Sequence, residues 1–146
     1  MGWSDMAGSL IEIQKTTLST PTASVVLTGI NSTYDVYMVR VSNVQPVTDN
    51  KNMIFRITKS GTAQSNSVTF AFSLGNGTGE KANAILYLFN FANANEFSFI
   101  TAESSFLDLT PNLVGFQGGF VHTVASASDG VSFEMESSVN INTGAE

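Results

Sequence analysis

Three features of this sequence predict an all-β fold, a single-domain antiparallel β-sandwich of jelly-roll-like form. Apolar and polar residues alternate at period two in run after run, and no stretch carries a convincing 3.6-residue period. Gly, Pro, Asn, Asp and Ser punctuate the chain roughly every 8 to 15 residues, as they do between the short strands of sandwiches. A chain of 146 residues suits one domain with a core large enough to need no staples. No internal repeat and no linker divides it. The expected organisation is an N-terminal arm over residues 1–9 and one sandwich domain over residues 10–146.

Met1 to Ser9 holds Trp3 among small and polar residues without any period. It reads as an arm ordered only by contact, with Trp3 its anchor, because aromatic side chains bury much area at interfaces. Leu10 to Lys15 forms a first short strand, Thr16 to Thr22 a loop around Pro21, and Ala23 to Thr28 the next strand, closed by Gly29. Thr33 to Thr58 then reads as a long β-hairpin about the turn residues Pro46 to Asn50. In its arms Tyr37, Val39 and Val41 share one face, as do Met53, Phe55 and Ile57. A register placing Val41 near Phe55 and Val39 near Ile57 makes the apolar face continuous. It also sets Arg40 and Arg56 opposite each other on the outer face, and like charges in that position imply a nearby carboxylate or a solvated separation.

Lys59 to Asn66 is a polar loop with Ser-Gly at its start. Ser67 to Leu74 is the cleanest alternation, with Val68, Phe70, Phe72 and Leu74 on one side. Gly75 to Lys81 is a loop. Ala84 to Phe91, more uniformly apolar, suits a strand covered on both faces, one by the core and the other by a partner. Phe97 to Glu103 and Ser104 to Leu109 form the most aromatic region. Val114 to Ala127 supplies one strand or two, with Gly118 and Gly119 marking a bulge or a close approach. Asp129-Gly130 signals a hairpin turn, Val131, Phe133 and Met135 alternate after it, and Val139 and Ile141 begin a last strand. The sum is about nine or ten strands.

Charged residues are 12% of the chain, against about 25% in ordinary domains. All six basic residues stand at or before Lys81, and the net charge is −6. Such a chain cannot supply the basic stripe that phosphate contacts need, which argues against nucleic-acid binding. The absence of cysteine removes disulfides, Cys-based zinc sites and thiol nucleophiles. No window reaches the roughly 18 apolar residues of a membrane helix, and the first residues lack a secretory pattern. A soluble chain made in the cytoplasm, with no membrane partner and no cofactor, is the expectation.

Possible chemistry is thin. Gly75 to Lys81 superficially looks like a phosphate-cradling loop but lacks the Gly-Lys-Ser/Thr ending and lies between two strands. His122 is the single histidine, and no serine stands in a nucleophile-elbow context. Glu134 and Glu136 share a face of the last strands but lack the oxygen-rich loop that calcium requires, so an acidic stripe facing solvent or a partner is the favoured reading. Its natural complement is Arg40 and Arg56. Tyr87, Phe89, Phe91, Phe97, Phe99 and Phe106 suit a core better than a sugar platform.

The run GINSTYDVYMVRVSNVQPVTDNKNMIFRIT, Gly29 to Thr58, resembles a domain of structural proteins of tailed bacteriophages, marine ones especially, with its TGI-x-STYD opening and P-x-TDN turn. The resemblance continues at VHTVASASDGVSFEMESSVNINTG, Val121 to Gly144, and covers most of the chain from about Ser24. It departs at the end, where the family's pattern runs on into another strand, which would leave a sheet edge open here. The resemblance implies a β-sandwich of virion surfaces that decorates capsids or sits on tail fibres. The resulting expectation is a non-enzymatic capsid decoration or cement protein. It would be a homo-oligomer, trimeric, bound to the major capsid protein, with Trp3, Arg40, Arg56, Glu134 and Glu136 as the interface residues and the two glutamates meeting the two arginines in a subunit contact. The alternative is a receptor- or glycan-binding domain of a tail fibre or spike, which a longer chain with a fibrous N-terminal part would favour. A polysaccharide hydrolase lacks a placed carboxylate pair.

Overall fold

The computed structural model describes residues 10–146; Trp3 and the rest of the expected arm lie outside the described residues. The strands are β1 (Ser24–Leu27), β2 (Val36–Val44), β3 (Lys51–Lys59), β4 (Thr62–Leu74), β5 (Ala82–Phe89), β6 (Ser98–Leu107), β7 (Leu113–His122) and β8 (Gly130–Met135). They form two four-stranded antiparallel sheets, ordered β1-β8-β3-β4 and β2-β5-β6-β7. The fold is a single-domain all-β sandwich with the strand count of a jelly roll.

Alternation decides which side chains meet between the sheets. Tyr37, Val39 and Val41 of β2, Leu86 and Leu88 of β5, and Ile100, Ala102 and Phe106 of β6 are buried against Met53, Phe55, Phe70 and Phe133 of the opposite sheet. Phe55 sits at the centre, its ring centroid 5.9 Å from both Phe70 and Phe120 and 6.3 Å from Phe133. Tilted and edge-to-face contacts of this kind add to the area term because ring edges meet ring faces.

The hairpin expected over Thr33–Thr58 is not formed. β2 pairs with β5, setting Val39 opposite Leu86 and Val41 opposite Ala84. β3 lies in the other sheet, with Phe55 between Val68 of β4 and Phe133 of β8. The two apolar faces meet across the sandwich instead of side by side, and Pro46 to Asn50 is an arch between sheets. Both arrangements bury the same residues, so alternation alone does not choose between them.

β3 forms its hairpin with β4 instead. Lys59 pairs with Thr62, and Ser60 and Gly61 between them have φ of 50° and 71°. Two positive φ values match the twist of the flanking strands. Thr62 to Asn66, expected as a loop, is therefore strand; its residues are polar because this end projects beyond the core.

Other expected elements differ as well. Leu10 to Lys15 is not a strand, and the chain closes with a 3-10 turn at Glu136–Ser138 instead of a last strand. Ile141 makes only single bridges, to Thr22 and Pro46. The C-terminal residues nonetheless bond on both sides: Leu18 N–H donates to Ala145 O at 2.9 Å, and Glu146 N–H to Ser42 O at 3.0 Å. Asp129-Gly130 is no hairpin turn, because β7 and β8 belong to different sheets. Gly130 is instead a close approach, where a Cβ would lie 2.0 Å from the carbonyl oxygen of Leu27. Gly118 and Gly119 make no bulge, since β7 pairs with β6 without a register shift. The space of a Gly118 side chain is taken by the Phe116 ring, 2.7 Å from where the Cβ would stand.

Candidate interaction surface

The outward residues of the β2-β5-β6-β7 sheet fall into cross-strand rows. Val36, Phe89, Phe99 and Val121 make the first, Met38, Tyr87, Thr101 and Gly119 the second, and Arg40, Ile85, Glu103 and Gln117 the third. The first two rows contain no charge. Val36, Tyr87, Phe99 and Val121 keep 46, 43, 45 and 49% of their surface exposed. Phe97, at the approach to β6, adds a third open aromatic ring. Within one chain β5 has a single covered face: Ala84, Leu86 and Leu88 meet the core, while Ile85 and Tyr87 face outward and open, on the side expected to meet a partner. The expected aromatic group divides in the same way, with Phe91 and Phe106 in the core and Tyr87, Phe97 and Phe99 on the surface.

This face continues over the edge of β2 into a groove of about 610 Å³ between β1, β2 and the segment from Leu10 to Leu18. Met53, Val131 and Phe133 form its floor, and the exposed Leu10, Ile11 and Ile13 form one wall. Gln14 holds that segment against β1, its Oε1 accepting from Thr28 N–H at 2.8 Å. At the groove's mouth the Glu146 carboxylate meets Lys15 at 3.1 Å and Arg40 at 2.6 Å. The hydrogen bond from Lys15, followed by its charge and the contacts of Arg40, holds the Glu146 carboxyl below its usual range.

The residues expected at an interface are placed otherwise than their spacing suggests. Arg40 and Arg56 stand in different sheets and do not face each other. Arg56 pairs with Glu134 across β3 and β8, and its Nη1 donates to Gln64 O and Ser65 O. Those carbonyls belong to the stretch of β4 where its register with β3 shifts, so the guanidinium ties down an irregular strand. Glu136 lies past the end of β8, accepting from Asn52 Nδ2 at 2.7 Å. The expected complementarity of basic and acidic residues is therefore met inside one chain for Arg56 with Glu134, while Arg40 takes Glu146.

The glycine-rich loop is filled by its own carboxylate. Glu80 accepts from Gly77 N–H at 2.6 Å, and a Cβ at Gly75 would stand 2.0 Å from Glu80 Oε2. An anion would have to displace that group, and the loop leads into β5, not a helix. His122 stands on the inward side of β7 beside a hollow of about 80 Å³ shared with Phe55, Ile57 and Phe120. Among the described residues no three His, Asp or Glu side chains converge as metal ligands.

Spacing did not reveal Asp129, whose Oδ1 accepts from the buried Thr58 hydroxyl and whose Oδ2 accepts from Gly61 N–H, both at 2.7 Å. Its one signal was the neighbouring glycine. Compared with known protein families, characterised proteins and solved structures, the chain matches none.

Proposed function

We propose that this is a non-enzymatic virion protein of a tailed bacteriophage, a capsid decoration or cement protein. In this reading it docks on the major capsid protein through the outer face of the β2-β5-β6-β7 sheet. The observation that carries docking is the uncharged, half-open row of Val36, Phe89, Phe99 and Val121 beside Met38 and Tyr87. A contiguous apolar face of this kind is characteristic of protein contact. The virion assignment rests on the resemblance of Gly29–Thr58 and Val121–Gly144 to phage structural domains. The mechanism is mass action: binding across assembled shell subunits and not to dissociated ones stabilises the shell. Self-association belongs to the same reading.

The exposed trio Tyr87, Phe97 and Phe99 favours one alternative, a glycan- or receptor-binding domain of a tail fibre, because open aromatic rings are what sugars stack on. Quantitative mass spectrometry of purified virions distinguishes the two. Copies in the hundreds that track the major capsid protein support decoration. A few to a few tens place the protein on the tail and overturn it.

A further inference from the structure

We infer that the free edge of β7 pairs antiparallel with β7 of a second copy about a two-fold axis at Gln117. The sheet would then run on through eight strands.

Three of the four sheet edges are blunted. β1 is four residues long, and the Gln14 side chain bonds to Thr28 N–H and Val26 O beside it. β2 breaks register between Val41 and Val44, and its end is bonded to the C-terminal residues through Ser42 and Glu146. β4 carries three register shifts against β3, and its last residues bond to Asp108 and Leu109. β7 differs from all of these. Its ten residues pair with β6 in one unbroken register, and among the described residues no hydrogen bond reaches its other side. It contains no proline, no lysine and no carboxylate, the devices that normally keep an edge from pairing.

The occupant follows from charge and from side-chain order. A chain of net charge −6 repels its copies, yet no Asp, Glu, Lys or Arg occurs from Leu109 to Ser128. This edge is where two copies approach without opposing carboxylates. In the sequence LVGFQGGFV, a two-fold at Gln117 sets Leu113 against Val121, Val114 against Phe120, Gly115 against Gly119 and Phe116 against Gly118. Each of these four pairs is apolar or matches a large residue with a glycine, and on the axis the two Gln117 side chains meet, each donating to Glu103 Oε1 of its own chain at 2.8 Å. Directly opposed residues of an antiparallel pair share a face, so this register keeps inward residues inward. Pairing would also cover Val114, Phe116 and Phe120, which one chain leaves half-buried, and would extend the stacked Phe116 and Phe120 rings, 6.0 Å apart. Such pairing gives a dimer, not the trimer that the phage resemblance implies, and holds whichever particle carries the protein.

The test uses the full chain, which has no cysteine of its own. Sedimentation velocity over a concentration series is expected to show a monomer–dimer equilibrium. Leu113→Lys and Val121→Glu, at positions 80 and 49% exposed, should each leave the melting temperature nearly unchanged. Leu113→Lys should weaken the dimer at least tenfold, and combining it with Val121→Glu should restore dimerisation, since each lysine then meets a glutamate of the other copy. Under mild oxidation Gln117→Cys should give a disulfide-linked dimer, and Thr101→Cys on the same face should not. A monomer at every concentration, no rescue by the pair, or equal cross-linking of both cysteine variants overturns the proposal.

Discussion

Asp108 closes the connection between β6 and β7 almost alone. Its Oδ1 accepts from Asn112 N–H, Thr110 N–H and the Thr110 hydroxyl, each at 2.8 Å, and its Oδ2 accepts from Asn112 Nδ2 at 3.2 Å. These donors, the Asn112 backbone first, lower its pKa from 3.8 to about 2. A depressed carboxylate stabilises the fold at pH above its unfolded value, and that contribution fades as pH falls through the folded one. Glu146 is shifted in the same direction by Lys15 and then Arg40, so both losses lie on the acid side. Carbon-detected NMR titration should place the Asp108 midpoint near 2, and Asp108→Asn should remove that transition. Asp129 serves packing. Asp129→Ala strands the Thr58 hydroxyl in a site with no exposed surface and frees Gly61 N–H, so denaturant unfolding should report a loss of about 1–3 kcal/mol. Adding Thr58→Val should recover part of it, because the unpaired hydroxyl is then gone.

Among the elements, β1 and β3 depend on one glycine. Gly130 opens β8 where Leu27 O comes within 2.0 Å of a would-be Cβ and Thr58 Oγ1 within 2.9 Å, and both neighbours are held by their own pairing. Gly130→Ala should therefore push β1 off β8, with hydrogen exchange accelerated at Ser24 to Leu27 well before β3 is affected. Alternation made most strands legible. The inward faces of β2, β3 and β8 follow the expected period, and Ser24–Leu27 falls inside the expected Ala23–Thr28. The inner face expected for β4 is corrected: Ala71 is buried beside Phe70 and Phe72 is 41% exposed, because the register with β3 shifts there. Partnership was not legible, because period two fixes which side chains are buried and not which strand lies beside them. That is why Arg40 and Arg56, set opposite each other in a hairpin, end in different sheets. Thr62 to Asn66 stayed hidden because a strand end outside the core needs no apolar residues. Asn83 and Tyr87 were signs that β5 has an outer face, though Ile85 and Phe89 beside them obscured it.

For the whole molecule, the two sheets are unequal in what they present. The outer side of the β1-β8-β3-β4 sheet carries the internally paired Arg56 and Glu134, whereas the other sheet turns uncharged apolar rows to solvent. Arg56 and Glu134 are conspicuous in a chain only 12% charged, yet they pair with each other within one chain and so keep less charge for a partner. Tyr87 and Phe99 are diagonal neighbours on adjacent strands, 43 and 45% exposed, where a change can be separated from the core. Replacing either by Glu should cost about 1 kcal/mol or less of monomer stability, the span of strand propensity. Phe55→Ala, at 1% exposure between both sheets, should cost about 3–5 kcal/mol. If the outer face docks on a capsid shell, Tyr87→Glu should also weaken binding to empty shells by about 2 kcal/mol, the scale of a central aromatic contact, or roughly thirtyfold. Pelleting with shells purified without the protein measures this, with Glu134→Gln as the control on the opposite sheet. Equal retention of Tyr87→Glu and the control at limiting concentration would remove this face from the interface. Retention lost only in Tyr87→Glu, with its melting temperature kept, would locate the contact where the first two rows leave it open.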